Sequence, residues 1–259
     1  MTAHTVVVAS DIHFPHHHEK LWKNFKKFLR DAKPAHLILA GDLVDLVQLS
    51  IFEQPEDALS SGIDEIRIAA KQINSLLEFC PVTIMPGNHE DRWRRAIFGN
   101  RQRALKGAVG LTFREQFYAQ GLDKSISFKE ENLEFPGLWV GSRALLVRHG
   151  DKQSSRFGTQ AIANKALRET PTISTLVGHH HRAELQARTV LGETVFAIAN
   201  PHMSGTHDYN PWPNWQRGFT VFDFYGERRL ADCKKFTPHL VVCDDEGSFC
   251  YAGKEYTSR

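Results

Sequence analysis

A chain of 259 residues with 41% hydrophobic residues is long enough to bury a full core, as one large domain or two small ones. Its formal charge of +2 marks neither a polyanion binder nor an acidic solvating protein. Four cysteines without CxxC spacing, three of them in the last 27 residues, exclude a zinc ribbon and read as reduced thiols.

The N-terminal apolar run, Thr5–Ala9, is too short for the h-region of a secretory signal, and no stretch approaches the roughly 18 apolar residues of a membrane span. The expectation is a soluble, cytoplasmic protein with no membrane partner. In chain order, Thr5–Ser10 reads as a strand and Glu19–Asp31 as a helix with Leu21, Trp22, Phe25, Phe28 and Leu29 on one face. His36–Ala40 is a second strand, Asp64–Glu78 a helix, and Val82–Met85 a third strand ended by Pro86-Gly87. This βαβα rhythm predicts parallel strands with covering helices. The second half turns to short strand candidates: 125–128, 138–140, 144–148, 172–177, 182–189, 194–199 and 218–224. Arg156–Glu169 is its one firm helix. With no linker or repeat, a single domain with two sheets is expected.

Five polar clusters follow apolar runs: Asp11-Ile12-His13, Gly41-Asp42-Leu43-Val44-Asp45, Gly87-Asn88-His89-Glu90, His149-Gly150-Asp151 and Gly178-His179-His180-His181. Ligand sites in open α/β sheets lie outside the carboxyl ends of the strands, so five segments can converge on one crevice. Asp, His and Asn suit Mn²⁺, Fe²⁺ or Zn²⁺. Two such ions about 3.5–4 Å apart clamp the attacking and leaving oxygens of a phosphoryl group. A lone Asp-x-His or Gly-Asp is a common turn element; the ordered set is what points to a dimetal centre. His89 titrates in the range useful for proton donation.

In the order and spacing of these motifs the chain resembles the calcineurin-like metallophosphoesterases, over roughly residues 5 to 225, with 226–259 as a C-terminal extension of one domain spanning 1–259. The resemblance implies a four-layer α/β/β/α sandwich of two mixed sheets. By motif it implies one metal on Asp11, His13, Asp42 and His181, and another on Asp42, Asn88, His149 and His179. Asp42 would bridge them. His89 would be the acid or a phosphate contact, oriented by Asp45, and a metal-bridging hydroxide would attack phosphorus in line. The cofactor expected is a pair of divalent ions, Mn²⁺ first, with Fe²⁺, Zn²⁺, Ni²⁺ or Co²⁺ as alternatives. Gly87–Arg92 and Asn214–Phe219 look like a subgroup often encoded by tailed phages and prophages.

Within the motifs, spacing selects His179 and His181, with His180 on the opposite face of an extended segment. His16-His17-His18 reads as a polar loop rather than a metal site. The family's phosphoprotein phosphatases carry arginines after the second Asp and before Gly-Asn-His-Glu; here Leu46 and Pro86 stand there, which removes a bidentate phosphate grip. The Glu90–Lys106 segment, with Arg92, Arg94, Arg95, Arg101, Arg103 and Lys106, reads either as a basic track for a phosphodiester or as a solvated helix face. Asn88, His89, Arg92 and Arg95 are the substrate contacts expected there. Tyr209, Trp212 and Trp215 read as base-stacking groups or as a structural loop. His202, after Asn200-Pro201, is a further candidate contact at the rim. A phosphodiesterase on nucleotides, DNA or RNA is the leading expectation. A phosphomonoesterase and a non-catalytic protein-binding scaffold are the alternatives.

Overall fold

The computed structural model describes residues 3–50, 61–99, 105, 108–129, 137–151, 162–205 and 214–258. The expected helix start at 156–161, the cations Arg101, Arg103 and Lys106, and the aromatics Tyr209 and Trp212 lie outside these residues.

Two mixed sheets form the centre. The first contains β1 (His4–Ala9), β2 (His36–Ala40), β3 (Val82–Met85), β4 (Ser127–Phe128), β10 (Gly218–Tyr225) and β11 (Lys235–Val242), in the order β11-β10-β1-β2-β3-β4. The strands β1 to β4 run parallel, while β10 and β11 pair antiparallel at one edge. The second contains β5 (Leu138–Val140), β6 (Leu145–Arg148), β7 (Ser174–Val177), β8 (Glu184–Val190) and β9 (Glu193–Ala199), in the order β5-β6-β7-β9-β8.

Strand alternation builds the layers, because successive side chains point to opposite faces. Val6 and Val8 of β1, with Ile38, Phe222 and Phe224, meet Val147, Leu176 and Ile198 between the sheets. Val7 and Ala9 face the other way, into a core with α1 (Glu19–Ala32) and α2 (Gly62–Asn74). Ala163, Ala166 and Leu167 of α5 (Ile162–Glu169) cover Val195 and Ala197 on the far face of the second sheet. The result is the expected four-layer α/β/β/α sandwich.

Several boundaries differ from the sequence reading. The helix expected over Asp64–Glu78 ends at Asn74 and continues as a 3-10 turn, Ser75–Glu78. The helices α3 (Asn88–Phe98) and α4 (Phe113–Ala119) lack long apolar periodicity and declare themselves only in tertiary contact. Beyond residue 226, β11 completes the first sheet. A hairpin, β12 (Phe249–Tyr251) and β13 (Lys254–Tyr256), packs Phe249 and Tyr256 on Phe28 of α1. His18 has a structural duty: its Nδ1 accepts from Leu21 N at 3.1 Å and caps α1. His17 packs its ring on Phe14 and Trp22.

Among the described residues no helix is long and apolar enough to cross a membrane. All four cysteines are free. Burial pushes the thiols of Cys80 and Cys243 up to about 12, and Cys233 is fully buried, whereas Cys250 is exposed. Thiolate is the reactive form. Ellman's reagent at pH 8 should therefore titrate one thiol quickly in the native protein and the other three only in denaturant. Substitution of Cys250 by Ser should remove the fast phase.

Candidate metal centre

The parallel strands β1, β2 and β3, and the parallel pair β6 and β7, each release their chain at the carboxyl end into one of the five clusters. The loops stay paired beyond the strands. Asp11 N donates to Gly41 O at 2.9 Å, and Ile12 N and His13 N donate to Asp42 O at 2.9 and 3.0 Å. Ile12, Leu43 and Val44 point into the helical core and are fully buried. That is why the polar residues are spaced as they are: each apolar residue between them anchors its loop and turns its neighbours into the crevice.

Asp11, His13, Asp42, His179 and His181 all have positive φ, between 51° and 67°. Such conformations cost about 1–3 kcal/mol each in non-glycine residues and gather at functional sites. The strain is held by Glu90, buried on α3, whose carboxylate accepts from Gly87 N (2.6 Å), Asp42 N (3.0 Å), Leu43 N (2.7 Å) and Val44 N (3.2 Å). Glu65 of α2, also buried, accepts from Leu46 N and Gln48 Nε2, both at 2.7 Å. Gly41 has φ +93°, and a Cβ there would overlap His149 and lie 2.9 Å from the Gly87 Cα.

Three sets of donor atoms, each within 4.8 Å of one another, result: Asp11 with His13 and His181; His13 with Asp42 and His89; Asp42 with His149 and His179. Asn88 joins the third, its Oδ1 lying 2.9 Å from His149 Nε2. The seven expected ligands thus lie together: Asp42 belongs to the second and third sets, and His13 links the second to Asp11 and His181. His180, in none of the sets, packs beside His179.

The donor chemistry fits divalent ions. Asp11 and Asp42 are buried, and among the described residues neither has a lysine or arginine partner; their ion-pair partners there are histidines. Burial by itself would raise the pKa of Asp11, but the hydrogen bond and charge of His181 hold it well below the carboxylate range. Asp42 is likewise pushed up by burial and pulled well down by the charges of His149 and His89. His149 Nδ1 lies 2.9 Å from Ala40 O, which only a donor can satisfy, so Nε2 is the atom left facing Asp42 Oδ2 at 3.3 Å. Without a metal that opposition needs a second proton, and despite its burial the charge of Asp42 raises the His149 pKa well above the ordinary value. A cation in the same place resolves it.

His89 Nδ1 lies 2.8 Å from Asp45 O and 3.0 Å from Asp45 Oδ1, and its backbone N donates to Asp42 Oδ1 at 2.9 Å. Asp45 also sits 3.4 Å from His13 Nδ1. The carboxylate of Asp45, pushed up by burial, is held well down by hydrogen bonds with His13 and His89. Arg92, from the second turn of α3, donates through Nη1 to Asp45 O at 2.7 Å and sets Nη2 3.1 Å from His89 Nε2. Burial lowers the His89 pKa, but the charge of Asp42 and the hydrogen bond with Asp45 outweigh it and Arg92, and the net direction is upward.

The remaining expected contacts fall elsewhere. Arg95 and Arg94 both pair with Asp91 on the exposed face of α3. His202, expected at the rim, is 2% exposed, with its ring stacked on His181 at 4.7 Å and its Nδ1 2.6 Å from Ser204 Oγ. Trp215 packs edge-on against the same two rings and is half-buried. Behind them Asn200 joins the sheets, donating to Ser10 Oγ at 2.8 Å and accepting from Thr220 Oγ1 at 2.7 Å. Sequence reasoning did not assign Glu90, Glu65 or this seam. An acid directly after Asn-His was the available signal for Glu90; nothing in the sequence distinguishes Glu65 from a solvated helix residue.

A four-layer sandwich with these clusters at the ends of its parallel strands defines a dimetal phosphoesterase framework. The family profile of the calcineurin-like phosphoesterases matches residues 4–243, and the chain belongs to that family. It is therefore a metal-dependent phosphoric ester hydrolase, with a phosphate ester as substrate. No curated protein matches significantly. Among solved structures it is similar to vacuolar protein sorting 29 from Cryptosporidium parvum, at 13% identity, covering 100% of this chain and 97% of that one with a TM-score of 0.46. A dimetal phosphatase from Danio rerio is similar at 11% identity, covering 87% and 94%, also with a TM-score of 0.46.

Replacing Glu90 by Ala would leave four buried N–H groups without their acceptor. Urea unfolding should show a loss of at least about 3 kcal/mol, because hydrogen bonds to a charged group contribute about 1.5–3 kcal/mol each and unmet donors add desolvation cost. Replacement of exposed Arg95 by Ala should change stability by less than about 0.5 kcal/mol.

Proposed function

We propose that this chain is a phosphodiesterase acting on nucleotides or nucleic acid, with Asp11, His13, Asp42 and His181 holding one divalent ion and Asp42, Asn88, His149 and His179 the other. The observation that carries the reading is that Asp42 belongs to two of the three donor sets, and that His13 links one of these to Asp11 and His181. Mn²⁺ is the metal we assign first. When bound, the ions lower the pKa of water near neutrality and neutralise charge on the phosphoryl oxygens.

The protein's own residues do the rest. Asp42 is fixed by its backbone bond to Glu90 and by Oδ1 accepting from His89 N, with Oδ2 facing His149 and His89. Asn88 and His89 open α3, so the first turn of that helix faces the phosphate position. His89 is the group we assign to proton delivery at the leaving oxygen, with Asp45 holding its Nδ1 side. Delivery from Nε2 requires Arg92 to turn from His89 onto the substrate, which pairs phosphate recognition with release of the acid. Arg92 thus supplies a single cation at the corner beside Leu46, where the phosphoprotein phosphatases carry their own. One arginine suits the single charge of a diester better than the dianion of a monoester. The likeness of Gly87–Arg92 and Asn214–Phe219 to phage-borne relatives fits an enzyme of nucleic-acid metabolism.

Protein supplied with Mn²⁺ should cleave bis-(p-nitrophenyl) phosphate faster than p-nitrophenyl phosphate. Asp42→Asn should lower the rate at least about 10³-fold, since it removes the shared ligand. A faster monoester reaction would reverse the substrate assignment, and full activity in Asp42→Asn would remove the bridge. His89→Ala should slow esters of poor leaving groups by about 10²–10⁴-fold and nitrophenyl esters far less. Equal losses for both would assign His89 to phosphate positioning.

A further inference from the structure

Beside the metal centre a cavity of about 330 Å³ opens between α3 and α4. It adjoins the centre through two residues. Gly87 lines it and lies so close to Asp42 that a Cβ would overlap the carboxylate; Asp151 lines it two residues after His149. Phe98 and Phe113 supply aromatic walls, and Arg114 and Asp151 supply a donor and an acceptor. Arg94, also on its lining, is already engaged by Asp91, and Glu90, Asp91 and Asp151 outnumber the two arginines there, which disfavours a second phosphate.

We propose that this cavity is the subsite for the nucleobase attached to the scissile diester. The inference rests on the diesterase reading above and adds the part of the substrate that the metal centre does not see. A volume at the lower end of the range for ligand pockets suits one planar ring system rather than a strand of nucleic acid. Aromatic walls stack any base through its π-face, and a donor and an acceptor at the edge match a heterocycle that carries both. An alkyl chain would leave Arg114 and Asp151 without use; a sugar would leave the two phenyl rings without use.

The test compares two diesters with the same leaving group, p-nitrophenyl thymidine 5′-phosphate and methyl p-nitrophenyl phosphate, on the full chain with Mn²⁺. We expect kcat/KM to favour the thymidine ester by about tenfold or more, as one stacked base contributes. Phe98→Ala should cut that ratio about tenfold, mostly in KM. Arg114→Glu, at an exposed position in the first turn of α4 where an acid suits the helix, tests the same edge if Phe98→Ala does not fold. Equal kcat/KM for the two esters in the wild type, or a ratio unmoved by these variants, would overturn the subsite and leave the diesterase reading intact. Cleavage of neither ester would instead overturn the diesterase reading. The cavity is then judged by NMR on the metal-free protein: thymidine should shift the ring resonances of Phe98 and Phe113 and ribose should not, and no shift with thymidine overturns it.

Discussion

The centre depends on one carboxylate that faces away from it. Glu90 gathers four backbone N–H groups, three from the loop after β2 and one from the turn into α3. These two segments carry Asp42, Asp45, Asn88 and His89. Fixing their backbones to one side chain fixes the relative positions of these four side chains. Glu65 extends the same device by two residues, holding Leu46 at its positive φ. A buried carboxylate is costly unless charge or hydrogen bonds compensate it. Here the hydrogen bonds that compensate Glu90 are those that set the site.

A second balance lies in the crevice. Asp11 and Asp42 repel each other, and five imidazoles crowd against them. His13, His89, His149 and His179 are pulled towards protonation by the carboxylates and away from it by burial, so protons alone satisfy the cluster poorly. The backbone there sits in left-handed conformations, and the apolar residues between the ligands are locked into the core. The protein has thus spent stability to hold acceptors face to face, the arrangement that hydrated divalent ions are suited to fill. Around this, the stack of His181, His202 and Trp215 and the Ser10–Asn200–Thr220 seam keep the two sheets from sliding apart at the site.

The ligand clusters were legible because their chemistry is written in short local patterns at strand ends, and strand ends can be read from apolar runs. The capping role of His18, by contrast, depends on where α1 begins. The supports were not legible. Glu65 looks like any acid in a helix until the fold places it under Leu46, and Asn200 becomes a bridge only when two sheets meet. The helices α3 and α4 carry too few apolar residues to show a period. The strands β11 to β13 lie beyond the motifs, so only pairing with β10 reveals that β11 closes the first sheet, and only packing on α1 reveals the place of the β12–β13 hairpin. Arg92 was legible as a cation near the site but not as a donor to Asp45 O, because that contact joins a helix turn to a loop more than forty residues earlier.

The central claim is that the five strand-end clusters form one site for two ions that share Asp42. Anomalous diffraction from crystals equilibrated with Mn²⁺ tests it most directly. The account predicts two manganese peaks about 3.5–4 Å apart, one on each side of the Asp42 carboxylate. A single peak, or two that do not both contact Asp42, would contradict it.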